Sequence, residues 1–250
     1  MFKKLNSLSR YIKTFKNWRI PAFARYGIGR GIPERMLEFR DGRKIAFRPT
    51  SDHVALGEIF IAGGYDICGQ VSGEAKVIWD IGGNIGAFVV WASKHFPNAT
   101  YFSFEPCADT FHVLERTRLG NPAIKWNTCN FGLSSKNETV VAHIPQGHYG
   151  EASRYADSGK QVEFPLRSIN EAWTEAGKPH IDLLKIDCEG GEYEILRGVS
   201  EELLSNIGAI VMEVHTIPGE DSAKIRKRLH DARFSVSWFD GPQGVAFAAR

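Results

Sequence analysis

Asp80-Ile81-Gly82-Gly83-Asn84-Ile85-Gly86 follows a short apolar run, 76–81, and leads into a helix pattern, 86–95, that stops before Pro97. A strand that breaks into glycines and restarts as a helix opens a parallel α/β sheet, in which ligands settle outside the carboxyl ends of the strands and glycine admits them close to the backbone. The pattern then repeats. Residues 99–105 read as a strand, 107–119 as a helix and 124–131 as a third strand, which makes a βαβαβ unit. A polar insert with several turn signals covers 132–161, followed by a strand at 162–166 and a helix at 168–176. Residues 181–187 and 207–215 read as further sheet strands around a helix at 191–204. A helix at 221–233 precedes two strands, 234–239 and 244–249, joined through Asp240-Gly241-Pro242-Gln243-Gly244. On the N-terminal side, Asp41-Gly42 sits between two alternating runs and predicts a hairpin over 36–48. Residues 52–62 predict a helix with Asp52 as N-cap and Gly63-Gly64 as its stop. The expected fold is α/β, a mostly parallel seven-stranded sheet with helices on both faces and a C-terminal antiparallel hairpin.

At 250 residues, 43% hydrophobic and 24% charged, the chain has the make-up of an ordinary globular domain with a packed core. No run approaches the roughly eighteen apolar residues of a membrane span. The cysteines at 68, 107, 129 and 188 form no C-x-x-C pair, which fits reduced thiols and a cytoplasmic location. The balance of 31 basic to 29 acidic residues predicts no nucleic-acid partner. Its distribution is uneven: residues 1–33 hold eight basic residues and no acid, leaving 23 basic and 29 acidic residues in the rest. Phe2, Leu5, Leu8, Ile12, Phe15 and Trp18 recur there at helical spacing, with Pro21 as the expected end. The chain therefore divides into a basic amphipathic extension, 1–33, and one domain, 34–250, made of a hairpin and helix cap (34–75) and a core (76–250) carrying the insert. The apolar stripe fits either docking on the body or peripheral contact of residues 1–20 with an anionic membrane at its inner face.

The glycine turn itself narrows the ligand. A dinucleotide fingerprint needs glycine at position 84, where this chain has Asn, and the Gly-Lys-Ser/Thr ending of a phosphate loop is absent. Asp80 would repel a phosphate but suits a cationic amino-acid moiety, and S-adenosylmethionine carries an ammonium and a sulfonium with no phosphate. Asp80, Gly82, Gly83, Asn84 and Gly86 are thus the expected cofactor-binding residues; the structural alternative is a turn that only packs helix on strand. Glu105 ends the next strand some twenty residues on, where an acid can accept hydrogen bonds from ribose hydroxyls, a feature that dehydrogenases share. The run Lys185-Ile186-Asp187-Cys188-Glu189-Gly190-Gly191-Glu192 places three acids and a lysine at a strand end. Unpaired charge is costly in a core, so these residues line the crevice or pair with one another. Glu192 also reads as favourable charge at a helix start.

Asp80–Gly86, Phe104-Glu105-Pro106, Asn130-Phe131-Gly132-Leu133-Ser134, Lys185–Glu192 and Glu213-Val214-His215 together resemble the FkbM family of S-adenosylmethionine-dependent methyltransferases. Ser51-Asp52, Glu58-Ile59-Phe60 and Tyr65 resemble the segment preceding that family's core, so the likeness runs from about 50 to 215. Departures are Cys188 in place of a branched aliphatic residue, Gly191 in place of alanine, and Ser168-Ile169-Asn170 where the family has Leu-Asp. The resemblance implies a class I, Rossmann-like methyltransferase that O-methylates a hydroxyl of a sugar, glycan, glycolipid or glycosylated secondary metabolite. It also puts Asn130 at the adenine edge and Phe131 over a ring face.

Such a hydroxyl needs a general base or a metal beside it. His215 is the first candidate base, with an imidazole of suitable unperturbed pKa. Asp187 competes for that role, and Lys185 and Glu189 complete the expected catalytic group. Asp187, Glu189 and His215 could instead collect a divalent cation. His143, His148, Tyr149, Arg154 and Tyr155 of the insert are candidate acceptor contacts or parts of a lid. Two other function classes fit the same sheet: an NAD-dependent oxidoreductase and a non-catalytic nucleotide-binding module.

Overall fold

The computed structural model describes residues 2–29, 31–144, 153, 155, 158–239 and 244–250. The basic N-terminal segment forms two helices, α1 (Phe2–Thr14) and α2 (Arg19–Arg25). Pro21 lies in the first turn of α2, where its missing N–H forfeits no intrahelical bond, so it opens a helix instead of ending one. Among the described residues, the inner part of this segment docks on the body. Tyr11 and Phe15 are buried, Leu8 and Trp18 pack against the same cluster, and the Phe15 ring lies 4.6 Å from Phe39. Ile12 is exposed and Tyr11 takes its expected place, because the i, i+4 pair 11 and 15 shares the inward face.

The hairpin forms as expected from β1 (Arg35–Glu38) and β2 (Lys44–Phe47). The helix expected over 52–62 is α3 (His53–Leu56), continued by π-helical turns over Gly57–Ala62 and stopped by Gly63 at φ +80°. Asp52 occupies the N-cap position without capping. Its buried carboxylate instead accepts hydrogen bonds from the Arg48 backbone N–H and guanidinium at 2.7 to 3.1 Å. A 3-10 turn, Asp66–Gln70, leads to the sheet.

Next come β3 (Val77–Ile81), α4 (Ala87–His95), β4 (Thr100–Phe104), α5 (Ala108–Leu119) and β5 (Lys125–Cys129). They are followed by β6 (Gly132–Ser134), β7 (Glu138–Ile144), β8 (Lys160–Ser168), α6 (Ile169–Glu175) and β9 (Ile181–Ile186). The chain closes with α7 (Glu192–Gly198), α8 (Glu201–Ser205), β10 (Ile207–Val214), α9 (Ser222–Asp231), β11 (Ser235–Phe239) and β12 (Gly244–Ala249). The main sheet has the order β11-β12-β10-β9-β3-β4-β5, parallel from β10 to β5, with β12 antiparallel to both β10 and β11. Chain order reverses between β3 and β9, and a crevice opens at such a switch point.

Two expectations change. The insert is not a plain polar excursion: β6 and β7 flank β8 in a separate three-stranded sheet. Its candidates His148, Tyr149 and Arg154, and the turn 240–243, lie outside the described residues. The helix expected over 191–204 is interrupted by extended Val199, and Ser200 caps α8 by accepting from the Leu203 N–H at 3.1 Å.

Strand alternation divides the core. Ile78 and Leu183 join one cluster with α1, α4 and the hairpin, whereas Trp79, Ile81, Leu184 and Ile186 join another with α6 to α9. Asp80 and Lys185 pair in register and share the face of Ile78 and Leu183, so the polar residues of the two motifs meet at the strand ends.

Candidate active site

A cavity of about 390 Å³ opens at the carboxyl ends of β3, β4, β9 and β10, within the roughly 300 to 1,000 Å³ of small-molecule sites. Its wall combines Gly82, Gly83 and Asn84 after β3 with Glu105 and Pro106 after β4 and Gly132–Ser134 of β6. Glu58, Tyr65, Asp187, Glu189 and Glu213 complete it.

The glycine turn is held in a form that side chains would block. Gly82 has φ +76°, and a Cβ there would overlap the Asp187 carbonyl oxygen; Asn84 is also left-handed, at φ +47°. Glu105 braces the same turn: its carboxylate accepts from the Asn84 N–H and the Cys107 N–H, both at 2.9 Å. Burial pushes the Glu105 carboxyl up to about 7, against the lowering effect of those two N–H groups. Asn84 Oδ1, Thr110 Oγ1 and Ser134 Oγ are buried, line the cavity and have no hydrogen-bond partner. Buried polar atoms are normally satisfied, so these three mark where a polar ligand would bind.

Asp80 does not line this wall. It is fully buried in a row that crosses four strands: Trp126 Nε1 donates to Ser103 Oγ (2.9 Å), Ser103 Oγ donates to Asp80 Oδ2 (2.9 Å), and Lys185 Nζ lies 3.1 Å from Asp80 Oδ1. Lys185 also donates to the carbonyls of Ile81 (3.2 Å) and Gly82 (2.6 Å). Burial lowers its ammonium pKa, but Asp80 and Asp187 outweigh burial and hold it above the ordinary lysine value. Asp80, expected to attract or orient the ligand's cationic end directly or through water, anchors Lys185, and Lys185 holds the turn.

Gly86 also lies off the wall. It starts α4 at φ +85°, where a Cβ would overlap the Trp126 indole. Asn130 and Phe131 are displaced too. Asn130 is exposed and donates to the Glu105 carbonyl at 2.9 Å, while Phe131 packs between Phe104 and the Arg167 guanidinium. Pairing of β6 with β8 swings Gly132, Leu133 and Ser134 into the wall instead.

His215 departs furthest from its expected part. It is buried behind the wall just past β10, with Nδ1 3.2 Å from Glu192 Oε1 and Nε2 3.4 Å from Glu189 Oε2. Although burial works against the charge, Glu192 and Glu189 raise its pKa to about 9. Glu192, read as a helix-start charge, is fully buried and accepts from the His215 and Gly190 backbone N–H groups at 2.7 and 2.9 Å. Asp187 faces the cavity and accepts a 3.4 Å hydrogen bond from the Tyr65 hydroxyl. Beside it, burial and the Asp187 charge push Glu213 up to about 8.

The expected cation trio also changes membership, since the groups that converge within 4.8 Å are Asp187, Glu213 and His215. Glu213 was the missed residue, and strand alternation was the signal: positions 213 and 215 share a face. Of the insert's described candidates, Tyr155 lies over Gly190 on the cavity wall; Ser153, not among those candidates, donates from Oγ to the Glu189 carbonyl at 2.7 Å. His143 is not on that wall.

Residues 80–236 match the family model described as the methyltransferase FkbM domain. The chain belongs to the FkbM methyltransferase family. It is similar to the methyltransferase sdnD of Sordaria araneosa, with 30% identity covering 72% of this chain and 81% of the relative. It is 28% identical to the hexuronic acid methyltransferase AglP of Haloferax volcanii, covering 65% of each. It is 25% identical to the 31-O-demethyl-FK506 methyltransferase FkbM of Streptomyces tacrolimicus, covering 57% of this chain and 66% of the relative. This FkbM-family member is accordingly a methyltransferase enzyme with the Rossmann-like class I sheet. No helix among its described residues is long and apolar enough to cross a membrane.

Proposed function

We propose that the protein transfers a methyl group from S-adenosylmethionine to a hydroxyl of a sugar or glycosylated metabolite. One observation carries this reading: a single cavity joins the glycine turn and Glu105 to a wall of carboxylates. The donor half fits the group. Glu105 accepts from the ribose hydroxyls, a role supported by its carboxylate on the cavity wall, and Asn84 Oδ1, Thr110 Oγ1 and Ser134 Oγ offer unused polar atoms. Among the described residues the only cationic side chain on the wall is Lys185, already engaged by Asp80 and two carbonyls, which suits a sulfonium donor and not a pyrophosphate.

The donor supplies an electrophilic methyl carbon whose sulfur leaves as a neutral thioether. The chain's part is to hold the acceptor oxygen in line with that carbon and remove the oxygen's proton. Asp187 accepts this proton as the new oxygen–carbon bond forms, a role supported by its position on the cavity wall and by the Tyr65 hydroxyl that holds its carboxylate. Glu58, Asp187, Glu189 and Glu213, with Tyr65 and Phe88, suit a neutral polyhydroxylated ring. A hexuronate, the acceptor named for the Haloferax relative, would meet like charge there.

Transfer of labelled methyl from S-adenosylmethionine to a panel of neutral glycosides and fractionated metabolites tests the assignment: a labelled methyl ether is expected, and label on carbon, nitrogen or nothing contradicts it. The donor half also has a pH signature. Protonating Glu105 removes the acceptor for the ribose, so affinity for S-adenosylhomocysteine should fall about tenfold between pH 8 and pH 6, through a pKa of about 7. In Glu105→Gln the profile should be flat. Calorimetric titrations at both pH values check this.

A further inference from the structure

The geometry points to a divalent-cation site formed by Asp187, Glu213 and His215 on the acceptor side of the cavity. It extends the proposed reading of that wall as the place where the hydroxyl is activated. One ligand atom from each residue lies within 4.8 Å of the others. A cation with ligands at about 2.0 to 2.6 Å spans atoms up to roughly 5 Å apart, so small rotamer adjustments close the set.

Carboxylate proximity alone would not make a site, and the imidazole supplies the independent observation. His215 is 9% exposed, and its Nε2 is fully buried and makes no hydrogen bond, with Glu189 Oε2 standing 3.4 Å away. Its other nitrogen faces Glu192, a carboxylate with no exposed surface, at 3.2 Å. A buried carboxylate on Nδ1 fixes the ring, as the partners of metal-bound histidines do, and a cation bound at Nε2 displaces the proton held there. Glu192 is itself locked by the Gly190 and His215 N–H groups, which makes the support rigid. On the other side, the Tyr65 hydroxyl orients Asp187.

Two carboxylates and one imidazole suit a hard or borderline ion such as Mn2+ or Mg2+ better than a thiolate-seeking one. Three protein ligands leave positions that two neighbouring hydroxyls of a polyol can complete. The site therefore favours an acceptor carrying a vicinal diol. One oxygen each of Asp187 and Glu213 stays free of the ion, so proton removal and cation binding can share the wall.

The test is a titration of the chelator-treated full chain with MnCl2, read by loss of the free-ion electron paramagnetic resonance signal. One Mn2+ per chain is expected at sub-millimolar concentration, with imidazole nitrogen coupling in the pulsed spectrum. Glu213→Gln and Asp187→Asn should each weaken binding at least tenfold. S-adenosylhomocysteine titrated into the same samples reports whether each variant keeps its fold. No bound Mn2+ at 1 mM, no nitrogen coupling in the unaltered chain, or unchanged affinity in a variant that still binds the homocysteine overturns the site. Mn2+ binding without S-adenosylhomocysteine binding would leave the cation site standing and remove the donor assignment.

Discussion

Lys185→Met is expected to lower the unfolding free energy by about 3 to 5 kcal/mol, the range for stripping one partner from a buried ion pair. Lys185 and Asp80 are 3% and 0% exposed. Removing the ammonium leaves the Asp80 carboxylate in the core with Ser103 as its remaining hydrogen-bond partner. It also frees the Ile81 and Gly82 carbonyls that shape the ligand turn. Two mechanisms then separate. If stranded charge dominates, the double variant Asp80→Asn, Lys185→Met recovers much of the loss in urea unfolding. If packing dominates, the double variant is no better than the single one. A loss under about 1 kcal/mol in Lys185→Met would remove the buried row as a structural element of the site.

Gly82→Ala should be comparably severe, costing about 3 kcal/mol or more, because two penalties add. A left-handed φ of +76° is unfavourable for any residue with a Cβ, and the added carbon would overlap the Asp187 carbonyl oxygen, which belongs to rigid backbone. Gly177→Ala provides the comparison. Gly177 has φ +84° with nothing near its missing Cβ, so strain alone acts there and the cost should stay near 1 kcal/mol. Equal melting temperatures for the two variants would mean that β3 and β9 are not as close at the turn as described.

The sheet could be read from the sequence because its strands are short apolar runs ended by glycine or acid, and local pattern is enough to place them. Four residues of the cavity wall were readable for the same reason: Gly82, Gly83, Asn84 and Glu105 follow directly from strand ends. What escaped depended on cross-strand register. Asp80, Ser103, Trp126 and Lys185 are far apart in the chain and become one row only when four strands align. Asn130 and Phe131 were placed by a β5 that continues, whereas the chain leaves that strand at Cys129 and enters a small sheet whose other members come from 138–168. His215 was assigned from an unperturbed imidazole, but Glu192, which raises its pKa, lies twenty-three residues away across the fold. Glu213 lay within the quoted motif and needed only the two-residue period of a strand to be included.

On the proposed function, the crevice beside residues 81–84 takes a sulfonium donor and not a dinucleotide. Isothermal titration of the full chain with S-adenosylhomocysteine and, separately, with NAD+ tests it most directly. One molecule of the homocysteine per chain should bind with micromolar affinity, with binding lost in Glu105→Ala, while NAD+ gives no heat. Heat from NAD+ with none from S-adenosylhomocysteine would show the crevice to be a dinucleotide site.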